Sequence, residues 1–128
     1  MNEVQSPATP KAVREYQNMA SEYDVTKSYQ FDGRNSPFTL VFRTEKGTIT
    51  ANYDANGEVI SSKEQFRNVA PPTDMVKKVL SEYDGWKLVK SNYYVSYNKN
   101  KSTVAYHTLQ ITNGKKKKSI SMDVDGTL

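Results

Sequence analysis

The sequence predicts an α+β fold in which two helices pack on one face of a curved, mainly antiparallel sheet of about seven or eight strands. Two observations support this prediction. A helical pattern precedes alternating strand patterns twice, and each helical pattern closes on Ser-Glu-Tyr-Asp, at 21–24 and again at 81–84. A turn motif rich in Asp, Asn and Gly also occurs twice, at 54–57 and 123–126. We therefore predict tandem helix-plus-meander units over about 9–68 and 70–128.

Chain length favours a single domain over two. The chain has 128 residues, of which 36% are hydrophobic and 25% charged, and its nine tyrosines provide large buried areas from few positions. Each half has about sixty residues and one helix, so each leaves an apolar face that only the other half can cover. We expect one domain over 9–128 behind a disordered tail at 1–8.

The first half begins with a helix over about 10–23. Thr9 is a suitable N-cap and Pro10 a suitable first residue, because proline lacks the amide proton that goes unpaired there. One face carries Val13, Tyr16, Ala20 and Tyr23, and we assign Lys11, Arg14, Glu15 and Gln17 to the opposite, solvent-facing side. Strands are predicted over 25–31, 38–42, 48–53 and 58–67, with 32–37 as a loop.

The second half repeats this order. Pro71-Pro72-Thr73-Asp74 ends a strand and starts a helix, whose apolar stripe is Val76, Val79, Leu80 and Tyr83. Strands follow over about 86–97, 103–111 and 120–124. Asn113-Gly114 predicts a type I′ hairpin turn, because both residues tolerate positive φ.

No catalytic, cofactor or metal site is predicted. His107 is the single histidine and the chain has no cysteine, so we assign His107 a structural or surface role. The two Asp-Gly turns begin like calcium loops but lack the later glutamate, and tight turns favour the same residues. Glu22 with Asp24, and Glu82 with Asp84, do not share a helix face as an acid–base pair would.

Partner-binding residues are predicted on strands of the second half. Lys115, Lys116, Lys117 and Lys118 follow a hairpin turn, where they either protect a strand edge from aggregation or contact an acidic partner. Tyr94 and Tyr106 place rings where a sheet face can bind a protein.

Charge and hydropathy limit the other partners. The formal charge is +4 and much of it lies in the four lysines, which is weak support for nucleic-acid binding. No apolar run is long enough to span a membrane, and residues 1–7 lack the basic start and apolar middle of an export signal.

The order of these motifs resembles the exported PepSY-like, beta-lactamase-inhibitor-like proteins of Bacteroidetes. The resemblance covers about 38–128 and is carried by ten positions: Tyr53, Asp54, Gly57, Pro72, Val76, Tyr83, Trp86, Gly114, Asp123 and Gly126. It implies a periplasmic or extracellular protein whose signal peptide is removed, made of tandem helix-plus-sheet units. Fold alone does not confer a target.

These observations lead to a functional expectation. We expect a non-enzymatic protein-binding or inhibitor-like module, monomeric or weakly dimeric, without cofactors and without nucleic acid as a partner. The alternative is a small-molecule-binding cup of cystatin-like or NTF2-like type, which requires a void of several hundred cubic ångströms between helix and sheet.

Overall fold

The computed structural model describes residues 5, 9–24 and 37–124, and in these ranges the fold is α+β. A helix is followed by three strands, and this order then occurs again. The elements are α1 (Lys11–Glu22), β1 (Phe38–Arg43), β2 (Gly47–Tyr53), β3 (Val59–Arg67), α2 (Thr73–Glu82), β4 (Lys87–Asn98), β5 (Val104–Thr112) and β6 (Lys117–Asp123).

All six described strands form one antiparallel sheet in sequence order, β1-β2-β3-β4-β5-β6. The α2 helix interrupts the meander between β3 and β4, yet these two strands still pair directly, with Phe66 opposite Tyr93. The predicted strand at 25–31 and the turn at 125–126 lie outside the described residues. Seven or eight strands therefore stay a prediction.

Both helices pack on the same face of the sheet, which we call the inner face. α1 places Val13 and Ala20 against Ile49, Phe66 and Tyr93, above β2 to β4. α2 places an apolar stripe above β5 and β6, formed by Met75 and Val79 against Leu109, Ile111 and Met122. Burial of these side chains stabilises each helix by roughly 1.5–3 kcal/mol per large apolar residue. No described helix is long and apolar enough to cross a bilayer.

The prediction for α1 was wrong in three details. The helix begins at Lys11 with Pro10 as its N-cap, and no side chain caps it, so Thr9 does not have the capping role. Gln17 is fully buried rather than solvent-facing. It lies one helical turn from Val13 and three residues before Ala20, so it shares their stripe. Tyr23, assigned to that stripe, is 40% exposed.

The β5–β6 hairpin forms as predicted, but its turn is different. Thr112 pairs with Lys117, which leaves a four-residue loop instead of a two-residue type I′ turn. Gly114 has φ 94°, whereas Asn113 does not have a positive φ. The carboxamide oxygen of Asn113 accepts hydrogen bonds from the amides of Lys115 (2.9 Å) and Lys116 (2.8 Å). Its side chain therefore closes the turn, and its backbone does not need the left-handed conformation.

Candidate functional site

The sheet surface opposite the helices carries the predicted tyrosines, and we call it the outer face. Cross-strand partners share a face, so the pairing register identifies its members. One row runs across all six strands and consists of Arg43, Thr48, Gln65, Tyr94, Tyr106 and Asp123. The rest of the outer face is mostly Ser, Thr, Asn and Gln. No described helix covers it.

Tyr94 and Tyr106 are direct cross-strand partners at the centre of the outer face. Their ring centroids lie 5.2 Å apart and the ring planes are 24° from parallel, so the rings stack on one another. Both side chains are half-buried. The stack is a rigid aromatic ridge, and tyrosine provides contact area at low conformational-entropy cost together with a hydroxyl for hydrogen bonding.

The outer face is strongly basic. Among the described strand residues it carries one carboxylate, Asp123, against six cationic side chains: Arg43, Lys63, Arg67, Lys87, Lys90 and Lys117. All six cations are exposed. Lys63 and Arg67 each lie two residues from Gln65, the partner of Tyr94, so they are about 7 Å from Tyr94's row on either side.

The structure separates the four predicted lysines. Lys115 and Lys116 lie in the hairpin loop, Lys117 begins β6 on the outer face, and Lys118 projects to the inner face. The Nζ atom of Lys118 is 5.0 Å from the ring centroid of Tyr83, a cation–π distance. Lys117 is six residues along the hairpin from the tyrosine row, about 20 Å away. Lys63 and Arg67, which were not predicted, are closer to the tyrosines.

A second feature, absent from the sequence predictions, is a buried polar cluster under α1. The Nε2 atom of Gln17 donates a hydrogen bond of 2.7 Å to Oε1 of Glu64 on β3. Gln17 is 0% and Glu64 1% exposed. Burial raises the pKa of Glu64 from 4.5 to about 7, and the hydrogen bond from Gln17 offsets part of that rise.

Tyr93 and His107 extend this cluster across the inner face. They are cross-strand partners with ring centroids 4.8 Å apart, and both are buried. Burial raises the pKa of the Tyr93 phenol, partly offset by the neighbouring Thr9 side chain, and burial lowers the pKa of His107. Neither ring nitrogen of His107 has a hydrogen-bond partner among the described residues. His107 is therefore buried in its neutral form. Its burial contradicts the surface alternative, and the structural role stays a prediction.

The sequence contained a signal for this cluster. Ser62 and Glu64 alternate with exposed residues in phase with Phe66, which packs in the core. A carboxylate in phase with a core phenylalanine is a buried carboxylate if the strand is regular. No burial was predicted for Glu64, although its phase with Phe66 indicates it.

The first Asp-Gly turn has a structural role. Oδ1 of Asp54 accepts hydrogen bonds from the amides of Asn56 (2.9 Å) and Glu58 (3.0 Å), and the Asp54 amide donates to the Glu58 carbonyl. Gly57 adopts φ 86°. This carboxylate is engaged in closing the β2–β3 hairpin, as the turn reading predicted. No group of three metal-ligating side chains occurs among the described residues.

An open groove of about 440 Å³ lies between α1 and β1. Its lining is mainly apolar and includes Tyr16, Met19, Leu40 and Phe42, with Arg43 also contributing. Met19 is 68% exposed at this groove. No family model, curated protein or solved structure matches this chain significantly.

Proposed function

We propose that this protein is a non-enzymatic module that binds an acidic protein or peptide through its outer face. The observation that carries the proposal is the composition of that face: a stacked tyrosine pair among hydroxyl and amide side chains, with six cations and one carboxylate on the described strands. Aromatic residues and arginine are enriched at interface centres. Basic side chains around them favour a partner of opposite charge and accelerate its association.

The resemblance extends this proposal to location and ancestry. We propose that the protein is exported to the periplasm or the cell surface, like the PepSY-like, beta-lactamase-inhibitor-like proteins. We also propose that its halves are pseudo-repeats. The order of one helix and three strands, which occurs twice in the described residues, supports the second proposal.

A direct test uses a fluorescent peptide of about twelve residues rich in Glu and Asp, with a Gln/Asn peptide of equal length as control. We expect the acidic peptide to bind more tightly, and its affinity to fall at least tenfold in the double variant Lys63→Glu/Arg67→Glu. The matched control is Lys11→Glu/Lys77→Glu, which makes the same charge change on exposed positions of the two helices. Tyr94→Ser/Tyr106→Ser should also weaken binding.

The comparison of the two charge variants decides the proposal. Equal loss of affinity in both would mean that the peptide responds to net charge and not to the outer face. A single-stranded DNA of equal charge should bind no more tightly than the peptide. Preferential DNA binding with a steep salt dependence would indicate that the partner is a nucleic acid and not a protein.

The groove between α1 and β1 favours one second candidate, a small-molecule carrier. Its volume is in the range of ligand sites, and its mainly apolar lining suits a small amphipathic molecule. Binding of 1-anilinonaphthalene-8-sulfonate should then saturate at one site and be lost in Met19→Glu. Binding that Met19→Glu leaves unchanged would exclude this groove as a carrier site.

A further inference from the structure

The Gln17–Glu64 pair leaves two buried oxygen atoms without partners. One hydrogen bond joins Nε2 of Gln17 to Oε1 of Glu64, at 2.7 Å. The remaining oxygen of each side chain, Oε1 of Gln17 and Oε2 of Glu64, is buried and has no hydrogen-bond partner among the described residues. A buried polar atom without a partner destabilises the folded state, and more so if it carries charge. Two such atoms in one contact need an explanation.

The explanation follows from what each group can donate. A carboxamide oxygen and an ionised carboxylate oxygen only accept hydrogen bonds, so neither can satisfy the other. A neutral carboxylic acid has one O–H donor. It can close a ring with a carboxamide, in which the amide N–H donates to the acid carbonyl and the acid O–H donates to the amide carbonyl. A single proton on Oε2 of Glu64 therefore provides one O–H···O hydrogen bond, which gives both oxygen atoms a partner.

We propose that Glu64 is held in its neutral form by a cyclic two-hydrogen-bond pair with Gln17, and that this pair is a pH-sensitive latch that fastens α1 to the sheet. The latch joins the middle of α1 to the middle of β3. It holds while Glu64 keeps its proton and weakens when the proton leaves, because ionisation replaces one hydrogen bond by a buried charge facing the Gln17 carbonyl.

The surroundings of Glu64 favour the neutral form. Ile49 is its cross-strand neighbour on β2 and Val95 on β4, and both are buried and apolar. Among the described side chains, the hydrogen bond from Gln17 is the one influence that lowers its pKa. The phenol of Tyr93 faces it from β4, and the nearby Arg14 acts on Tyr93. His107 lies beyond Tyr93 on β5 and is buried in its neutral form.

The direction of the pH dependence follows from linkage. The pKa of Glu64 is about 7 when folded and 4.5 as its ordinary value. A raised folded pKa means that the stabilisation is fully present below about pH 4.5, declines as the unfolded state ionises first, and is lost above about pH 7. Over that interval the contribution of Glu64 to the unfolding equilibrium constant changes by roughly 300-fold.

Two measurements test the latch. The side-chain carboxyl carbon of Glu64, followed by NMR in labelled wild-type protein from about pH 3 to 9, should titrate near neutrality. In the variant Glu64→Gln the two carboxamides can form the same ring without a titrating group. Its stability advantage over wild type should grow from pH 5 to pH 8, and hydrogen exchange in α1 at pH 8 should be slower than in wild type.

Glu58→Gln is the matched control, because it makes the same chemical change on an exposed residue of the neighbouring turn. It should leave α1 exchange and its pH dependence unchanged. A Glu64 carbon that titrates at or below its ordinary value would overturn the proposal, and so would a Glu64→Gln protein that is less stable than wild type at pH 8. The NMR titration needs no substitution, so it decides even if a variant fails to fold.

Discussion

Replacing Gly47 by alanine should destabilise the protein by about 3 kcal/mol, because there is no room for a side chain at this position. A Cβ built on Gly47 would overlap the carbonyl oxygen of Gln65 and lie 2.8 Å from its carbonyl carbon. These are backbone atoms of the paired strand β3, so the obstacle cannot move away as a flexible side chain would. The strands must separate where Gly47 pairs with Phe66.

The expected loss of about 3 kcal/mol follows from the hydrogen bonds and packing near Gly47. Separation of β2 from β3 would weaken the hydrogen bond from the Arg67 amide to the Lys46 carbonyl (2.6 Å) and the one from the Arg67 guanidinium to the Glu45 carbonyl (3.0 Å). Each contributes about 1 kcal/mol, and displacing the fully buried Phe66 side chain adds a further loss of similar size. Alanine also lowers the conformational entropy of the unfolded chain relative to glycine, which offsets less than about 1 kcal/mol of this loss of stability.

Urea unfolding followed by circular dichroism measures this change, with Gly114→Ala as the control. Gly114 has φ 94°, but a Cβ there would meet nothing within 4 Å. That substitution should cost only the backbone strain of about 1 kcal/mol. If both variants lose the same stability, close approach of β3 is not the reason for glycine at 47 and the β2–β3 register is wrong.

Three further predictions concern single side chains. Lys118→Ala should lower stability by about 0.5–1 kcal/mol in thermal unfolding through the lost contact with Tyr83, whereas Lys117→Ala should change it little. Burial lowers the pKa of His107 in the folded protein, so its contribution to stability is present above its ordinary pKa of 6.5 and is lost as the pH falls. His107→Phe should therefore reduce the loss of stability between about pH 6.5 and 5. An unchanged pH profile of the unfolding free energy would refute this prediction. Ser91→Ala should cost about 1–2 kcal/mol in urea unfolding, because its buried hydroxyl donates a 2.6 Å hydrogen bond to a backbone carbonyl.

The regular elements could be predicted because their patterns are local. Alternation around Ile49 and Ala51 placed β2, and the Pro71-Pro72 signal placed the start of α2 at Thr73. The pairing of β3 with β4 was harder, since α2 separates them in sequence. Their register depends on which faces meet in the core, and no local pattern in either strand reports that.

The site was less predictable, and the reason is visible in particular residues. Tyr94 and Tyr106 were named from the sequence as partner-binding candidates, but their pairing with each other requires the β4–β5 register. Lys63 and Arg67 look like ordinary solvated residues until β3 is placed at the centre of the sheet. Gln17 and Glu64 are 47 residues apart. Polarity assigned Gln17 to the solvent-facing side of α1, and no burial was predicted for Glu64. Only tertiary contact shows that each provides the hydrogen bond that makes burial of the other tolerable.

The latch and the proposed binding face are separable, although alternate residues of the same strands form them. On β4, Tyr93 points to the buried cluster and Tyr94 to the outer face. The outer face is held in shape by backbone pairing among strands, whereas α1 is held by side-chain contacts. Ionisation of Glu64 therefore loosens α1 without breaking a strand pair. We expect Glu64→Gln to leave binding of the acidic peptide within about twofold of wild type, while Lys63→Glu/Arg67→Glu leaves the Glu64 titration near neutrality. If either variant alters both properties, α1 docking and the outer face are coupled through sheet curvature.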